Sequence, residues 1–168
     1  KIIITETQKK YVEKINIFGN NITQETVIRN NLEIDEGDPF NELLQAKSLN
    51  NLKALNFFKT VQADIKDGSS KDSKIITFNV EEKPTGELTA GAGVSSDGTS
   101  FGFSVSENNY AGKGIKLITS LDMSEDKIKG QFNIVNPNFN YTDKALSANI
   151  SSMVTDKLTK NGYKSSKT

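Results

Sequence analysis

Carboxylates are the residues of this chain best placed to do chemistry. Asp35-Glu36 and Glu81-Glu82 are adjacent pairs, and Asp38 lies close to the first. Paired carboxylates with separated pKa values could perform general acid–base work. Neighbouring residues on an extended segment point to opposite faces, however, and no third group accompanies either pair. The reading that follows is of solvated turn and edge charges. There is no Cys and no His, which removes thiolate metal sites, disulfides and the commonest general base. Gly91-Ala92-Gly93 lacks the following helix that a nucleotide-binding loop requires. Catalysis is therefore set aside, with no cofactor or metal implied.

Charge gives no global direction either. Lys and Arg total 21 and so do Asp and Glu, so no net field points to nucleic acid or to an anionic surface. All the basic residues but Arg29 are Lys, which offers little bidentate phosphate recognition. The chain opens at Lys1 without Met or a signal peptide, as expected of a mature or excised piece. No run of about 18 apolar residues marks a transmembrane helix. Alternating barrel strands would escape that test.

Two rhythms divide the chain. Up to residue 83, helical and strand signals mix. Tyr11–Phe18 reads as a strand closed by Gly19-Asn20-Asn21. Thr23 is expected to cap a helix through about Asn31, with Val27 and Ile28 facing inward. After the Gly/Pro loop Ile34–Phe40, Asn41 can cap a second helix whose inner stripe is Leu44, Ser48, Leu52 and Leu55, widened by Leu49. Val61, Ala63 and Ile65 then alternate as a strand, and Ile76, Phe78 and Val80 mark a third. The order is β-α-α-β-β.

From Gly86 onward only period two remains. Leu88, Ala90, Ala92 and Val94 oppose Thr89, Gly91 and Gly93, and Asp97-Gly98 is a hairpin turn. Phe101, Phe103 and Val105 follow. After the loop Asn108–Gly114 come Ile115, Leu117, Thr119, Leu121 and Met123, then Ile128, Phe132 and Ile134. A loop over Asn136–Asp143 precedes Leu146, Ala148, Ile150 and Val154, and Asn161-Gly162-Tyr163 is where a sixth strand would begin. Alternation of this kind fits a soluble antiparallel sheet or a membrane barrel with a polar lumen. Three details favour the barrel. The strands run about nine to eleven residues, the length a tilted membrane strand needs. The polar face is rich in Gly and Ser. Tyr110 in one loop, and Phe139 and Tyr141 in another, fall in alternate turns, which share a rim and can form part of an interfacial girdle.

At Val12–Asn20 (VEKINIFGN), Val27–Phe40 (VIRNNLEIDEGDPF), Leu52–Val61 (LKALNFFKTV), Val80–Ser96 (VEEKPTGELTAGAGVSS), Asn109–Gly114 (NYAGKG) and Asn136-Pro137, the chain resembles the BamA family of bacterial outer-membrane barrel-assembly factors. The resemblance covers nearly the whole chain. It implies an α+β POTRA domain over 1–83, the one adjoining the membrane. Residues 84–168 would be the first five or so antiparallel strands of an incomplete transmembrane β-barrel. The remainder of that barrel, the other POTRA domains and the family's late extracellular-loop motif lie outside these residues. TamA-type and two-partner-secretion transporters, or a passive outer-membrane pore, therefore stay open as alternatives.

The resemblance implies folding and insertion of barrel proteins at the bacterial outer membrane, without enzymatic chemistry and with residues 1–83 in the periplasm. The expected partners are unfolded outer-membrane protein clients, periplasmic lipoproteins of the assembly machine and outer-membrane lipid, with no nucleic acid. Glu36, the acidic position before Gly37, is implied to contact a partner lipoprotein, and Arg29 is a second candidate for that contact. Val61, Ala63 and Ile65 lie on the strand expected to take a client by edge pairing, against the plainer reading of an edge protected by Lys59 and Lys66. Leu88, Thr89, Gly91 and Gly93 lie on the expected gate strand.

Overall fold

The computed structural model describes residues 9–95, 98–142, 144–157 and 162–168. Asp97, Asp143 and Asn161, which the sequence places in turns, fall outside them. The chain forms two compact units that divide between Pro84 and Thr85.

The first unit contains β1 (Tyr11–Phe18), α1 (Glu25–Arg29), α2 (Glu42–Ala54), β2 (Phe58–Asp67) and β3 (Ser73–Glu82). The sheet order is β1-β3-β2, with β1 parallel and β2 antiparallel to the central β3. Alternation along β3 puts Ile76, Phe78 and Val80 on one face, where they are buried with Val12, Ile15, Val61, Phe57 and Phe58. Ile28 of α1 and Leu52 of α2 complete this core from the helical layer. Asn41 caps α2 as its sequence position suggests, its side chain accepting from the N–H groups of Leu43 and Leu44, which satisfies two free helix-start donors. Asn56, with φ 60°, ends the helix in the left-handed conformation that Asn tolerates.

The first helix departs from expectation. It spans only Glu25–Arg29, Gln24 stands at its N-cap, and no side chain supplies the cap bond. Thr23 is buried, and its N–H donates to Glu82 Oε1 at 2.6 Å. Tethering the turn to β3 moves the helix start beyond Thr23.

The second unit is a single antiparallel sheet in chain order, β4 (Gly86–Ser95), β5 (Gly98–Tyr110), β6 (Ile115–Ser124), β7 (Lys127–Asn136), β8 (Leu146–Lys157) and β9 (Tyr163–Lys167). Among the described residues it has six strands where about five were expected, and β4 and β9 stand at opposite ends of the order without pairing. The fifth strand runs on through Tyr110, into the segment the sequence assigned to a loop.

Candidate functional site

An unpaired strand edge is a row of backbone donors and acceptors that can bind another chain. The outer edge of β1 is covered. Val12 N–H donates to Asp38 O (2.9 Å), Gly37 N–H to Val12 O (2.7 Å) and Phe40 N–H to Lys10 O (2.7 Å). Farther along, side chains replace backbone. Ile15 N–H donates to Glu36 Oε1 at 2.9 Å, and Arg29 Nη2 donates to Ile15 O at 3.0 Å. Arg29 Nη1 lies 3.6 Å from Glu36, and its Nε donates to Glu25 at 2.7 Å. The two charges inferred from resemblance thus meet in one half-exposed cluster and together stand in for a neighbouring strand at Ile15.

The other outer strand, β2, ends the sheet order, and no such cover lies over it among the described residues. Val61, Ala63 and Ile65 pair with Val80, Phe78 and Ile76 in one row. Val61 is buried, Ala63 half-buried, and Ile65 is 39% exposed. Lys59 pairs with Glu81 at 3.0 Å.

Two carboxylates are more than surface charges. Glu82 accepts the consecutive N–H groups of Asn21, Ile22 and Thr23 at 2.8, 2.8 and 2.6 Å. Burial pushes its pKa up, but these bonds, led by Thr23, outweigh it and hold the carboxyl below its ordinary value. This corrects the reading of Glu82 as solvated. Glu13 accepts from the Ser73 hydroxyl (2.6 Å) and the Ser69 N–H (2.7 Å), bonds that likewise lower its pKa. Nothing local in the sequence marks either role, because the partners lie 56 to 61 residues away.

In the second unit, register sorts the side chains into rows. On one face Leu88, Val105, Thr119, Phe132 and Ile150 lie side by side across five strands, as do Ala92, Phe101, Met123, Ile128 and Val154. On the other, Thr89, Ser104, Ser120, Gln131 and Ser151 form a row. The apolar face is bare: Leu88 is 74%, Val94 86% and Ile150 63% exposed. A 10-residue strand such as β4, at about 3.3 Å per residue and a tilt near 40°, rises roughly 25 Å, the height of a bilayer's apolar band. No helix among the described residues is long and apolar enough to cross a membrane, a statement that does not touch crossing by strands.

Among the described residues, β5 is the neighbour of β4. Gly91 stands opposite Gly102, so this point on the polar face lacks any cross-strand side-chain pair. A side chain at Gly91 would meet nothing within 4 Å, whereas one at Gly93 would lie 3.1 Å from Ser100 Oγ. Tyr110 and Phe139 are 52% and 47% exposed. Tyr141 ends the short 3-10 turn Phe139–Tyr141, and its side chain lies outside what the structure describes.

Comparison with known proteins bears on both units. The POTRA family model, described as a surface antigen variable number repeat, matches residues 10–83. The outer membrane protein assembly factor BamA of Neorickettsia risticii is 34% identical over 119 residues, 70% of this chain. The chain belongs to the BamA family. It spans 16% of the length of that relative. BamA from Haemophilus ducreyi lacking POTRA domains 1–3 superposes with a TM-score of 0.79 at 23% identity, covering 87% of this chain and 28% of that one. CdiB from Acinetobacter baumannii gives a TM-score of 0.63 at 15% identity over 93% of this chain and 31% of its own, a likeness of fold alone. Family membership places the chain at the bacterial outer membrane, its POTRA residues on the periplasmic side.

Proposed function

We propose that this chain serves the folding and insertion of β-barrel proteins into the outer membrane by offering its own strand edges to client chains. The observation that carries this reading is β4. Its Gly91 stands opposite Gly102, a point without cross-strand side-chain grip, within a sheet whose outward face is apolar and exposed over five strands. A client strand entering lipid unpaired carries backbone groups that each cost several kcal/mol there. Pairing with β4 would satisfy one row of them before insertion. The Gly91–Gly102 step and the small Ala90 and Ala92 give β4 little side-chain grip, so a closing neighbour would be held weakly and could yield to a client.

In the POTRA domain, β2 is the edge that fits an incoming extended segment, since β1 is already covered by the Glu36–Phe40 loop. Glu36 and Arg29 would meet an accessory lipoprotein through the half of each side chain that remains exposed. The reading is non-enzymatic. Its alternatives are a TamA-type or two-partner-secretion transporter and a passive pore, the last of which would keep β4 paired throughout its work. The test is a disulfide locking β4 to its closing strand in the full-length protein. Assembly of clients should stop and should return on reduction, while a locked protein that assembles at the normal rate would leave the barrel only a scaffold role.

A further inference from the structure

The rim of the second unit from which β4 starts carries paired aromatic and basic residues in both of its described turns. We infer that this rim binds the headgroups of anionic phospholipids, an inference that rests on the membrane-barrel reading above. Strict alternation from Phe101, Phe103 and Val105 would put Tyr110 on the polar face. A register shift between Glu107 and Tyr110 instead pairs Tyr110 with Ile115, whose row is that of Leu117, Leu121 and Met123. The extra residue turns the ring onto the apolar face, at its margin.

The irregularity is built rather than incidental. Asn109 is 5% exposed; its N–H donates to Glu107 Oε1 at 2.7 Å, and its Oδ1 accepts from Gly114 N–H at 2.8 Å. Glu107 also accepts from the Thr85 hydroxyl, so this carboxylate is engaged within the rim. The positive φ of Ala111 and Gly112 then closes a tight turn, with Lys113 N–H donating to Tyr110 O at 3.1 Å. Lys113 follows the ring by three residues and is exposed.

The next turn on this rim repeats the pairing. Phe139 is exposed, and its N–H donates to Lys144 O at 2.7 Å, which closes the loop and brings Lys144 beside the aromatic. Lys144 is exposed, and neither lysine forms an ion pair among the described residues. The loop also contains Asp143, which lies outside them. On the opposite rim, the turn after β6 carries Glu125 and Asp126 and no aromatic ring. Aromatic rings settle at the headgroup level, and exposed ammonium groups beside them attract phosphate and net negative headgroups. The pairing fits phosphatidylglycerol better than a zwitterionic lipid.

The test uses the full-length protein reconstituted in nanodiscs of equal phosphatidylcholine and phosphatidylglycerol, with retained lipid counted by native mass spectrometry after mild detergent. Wild type should retain phosphatidylglycerol in excess, and Lys113→Gln/Lys144→Gln should lose that excess by about fivefold or more. Lys127→Gln, near the other rim, should leave it unchanged. Gel mobility without heating reports in parallel whether the barrel is folded. A folded barrel with the same lipid selection in wild type and double variant would overturn the inference alone, whereas failure of wild type to enter the bilayer as a folded barrel would overturn the reading on which it rests.

Discussion

Glu36 occupies the place of a missing strand at Ile15, its Oε1 accepting the Ile15 N–H at 2.9 Å. The side chain thus has two separable properties, an acceptor for the sheet edge and a negative charge beside Arg29. Glu36→Gln keeps the acceptor and removes the charge. Glu36→Lys removes both, leaves the N–H of a buried residue unpaired and sets a second cation beside Arg29. The domain should lose about 1–3 kcal/mol with Lys and clearly less with Gln, as read from urea unfolding of residues 1–84. If the pair also meets an accessory lipoprotein, Gln should weaken capture of that partner from a domain still folded. Unchanged capture by Gln would confine Glu36 to the sheet edge.

Stability of the POTRA domain should fall in acid through named groups. Glu82 and Glu13 both have folded pKa values below the ordinary 4.5, so the unfolded chain binds protons first as pH drops. Their contribution is present in full above the unfolded value and is lost as pH falls through the depressed folded values. Urea midpoints from about pH 6 to about pH 2 should decline along this limb, and Glu82→Gln should flatten it. A variant with the wild-type slope would show that the three N–H bonds do not discriminate between carboxylate and carboxylic acid.

Leu52 is fully buried between α2 and the sheet. Leu52→Ala should cost about 2–5 kcal/mol in the same assay. A loss near zero would mean the helix is not seated as described.

The two units should behave differently when separated. Residues 1–84 bury a shared core and should be soluble and cooperative. Residues 86–168 expose an apolar face and two open strand edges, which predicts aggregation in water and recovery in detergent. Ultracentrifugation distinguishes the cases, and a soluble monomeric 86–168 would contradict the membrane reading of that face.

Much of this architecture was legible in the residues, for reasons of period. Strict alternation marks Gly86–Ser95, because a one-position slip would exchange its faces, whereas Tyr11–Phe18 is marked by the closing turn Gly19-Asn20-Asn21, its alternation broken by the register shift between Val12 and Lys14. The α2 stripe and its Asn41 cap are similarly local. What escaped depends on distant partners or on departures from period. The bond from Glu36 reaches across 21 residues to Ile15, and the bonds from Glu82 reach back about 60 to a turn, so neither leaves a trace in nearby sequence. The extra residue before Tyr110 is visible only as a shift in pairing. Strand β9, YKSSK, lacks the apolar alternation that reveals the others, and its pairing with β8 shows it.

The central claim is that β4 offers its edge to clients, and crosslinking during assembly tests it most directly. With any other cysteine of the full-length protein replaced, single thiols at Thr89 or Gly91 report this edge, and Ser104, already inside the sheet opposite Thr89, is the control. In the full-length protein stalled with a client bearing one thiol on its first strand, Thr89→Cys and Gly91→Cys should form a disulfide with the client and Ser104→Cys should not. Equal crosslinking at all three positions, or none at Thr89 and Gly91 while the client is demonstrably bound, would contradict edge pairing by β4.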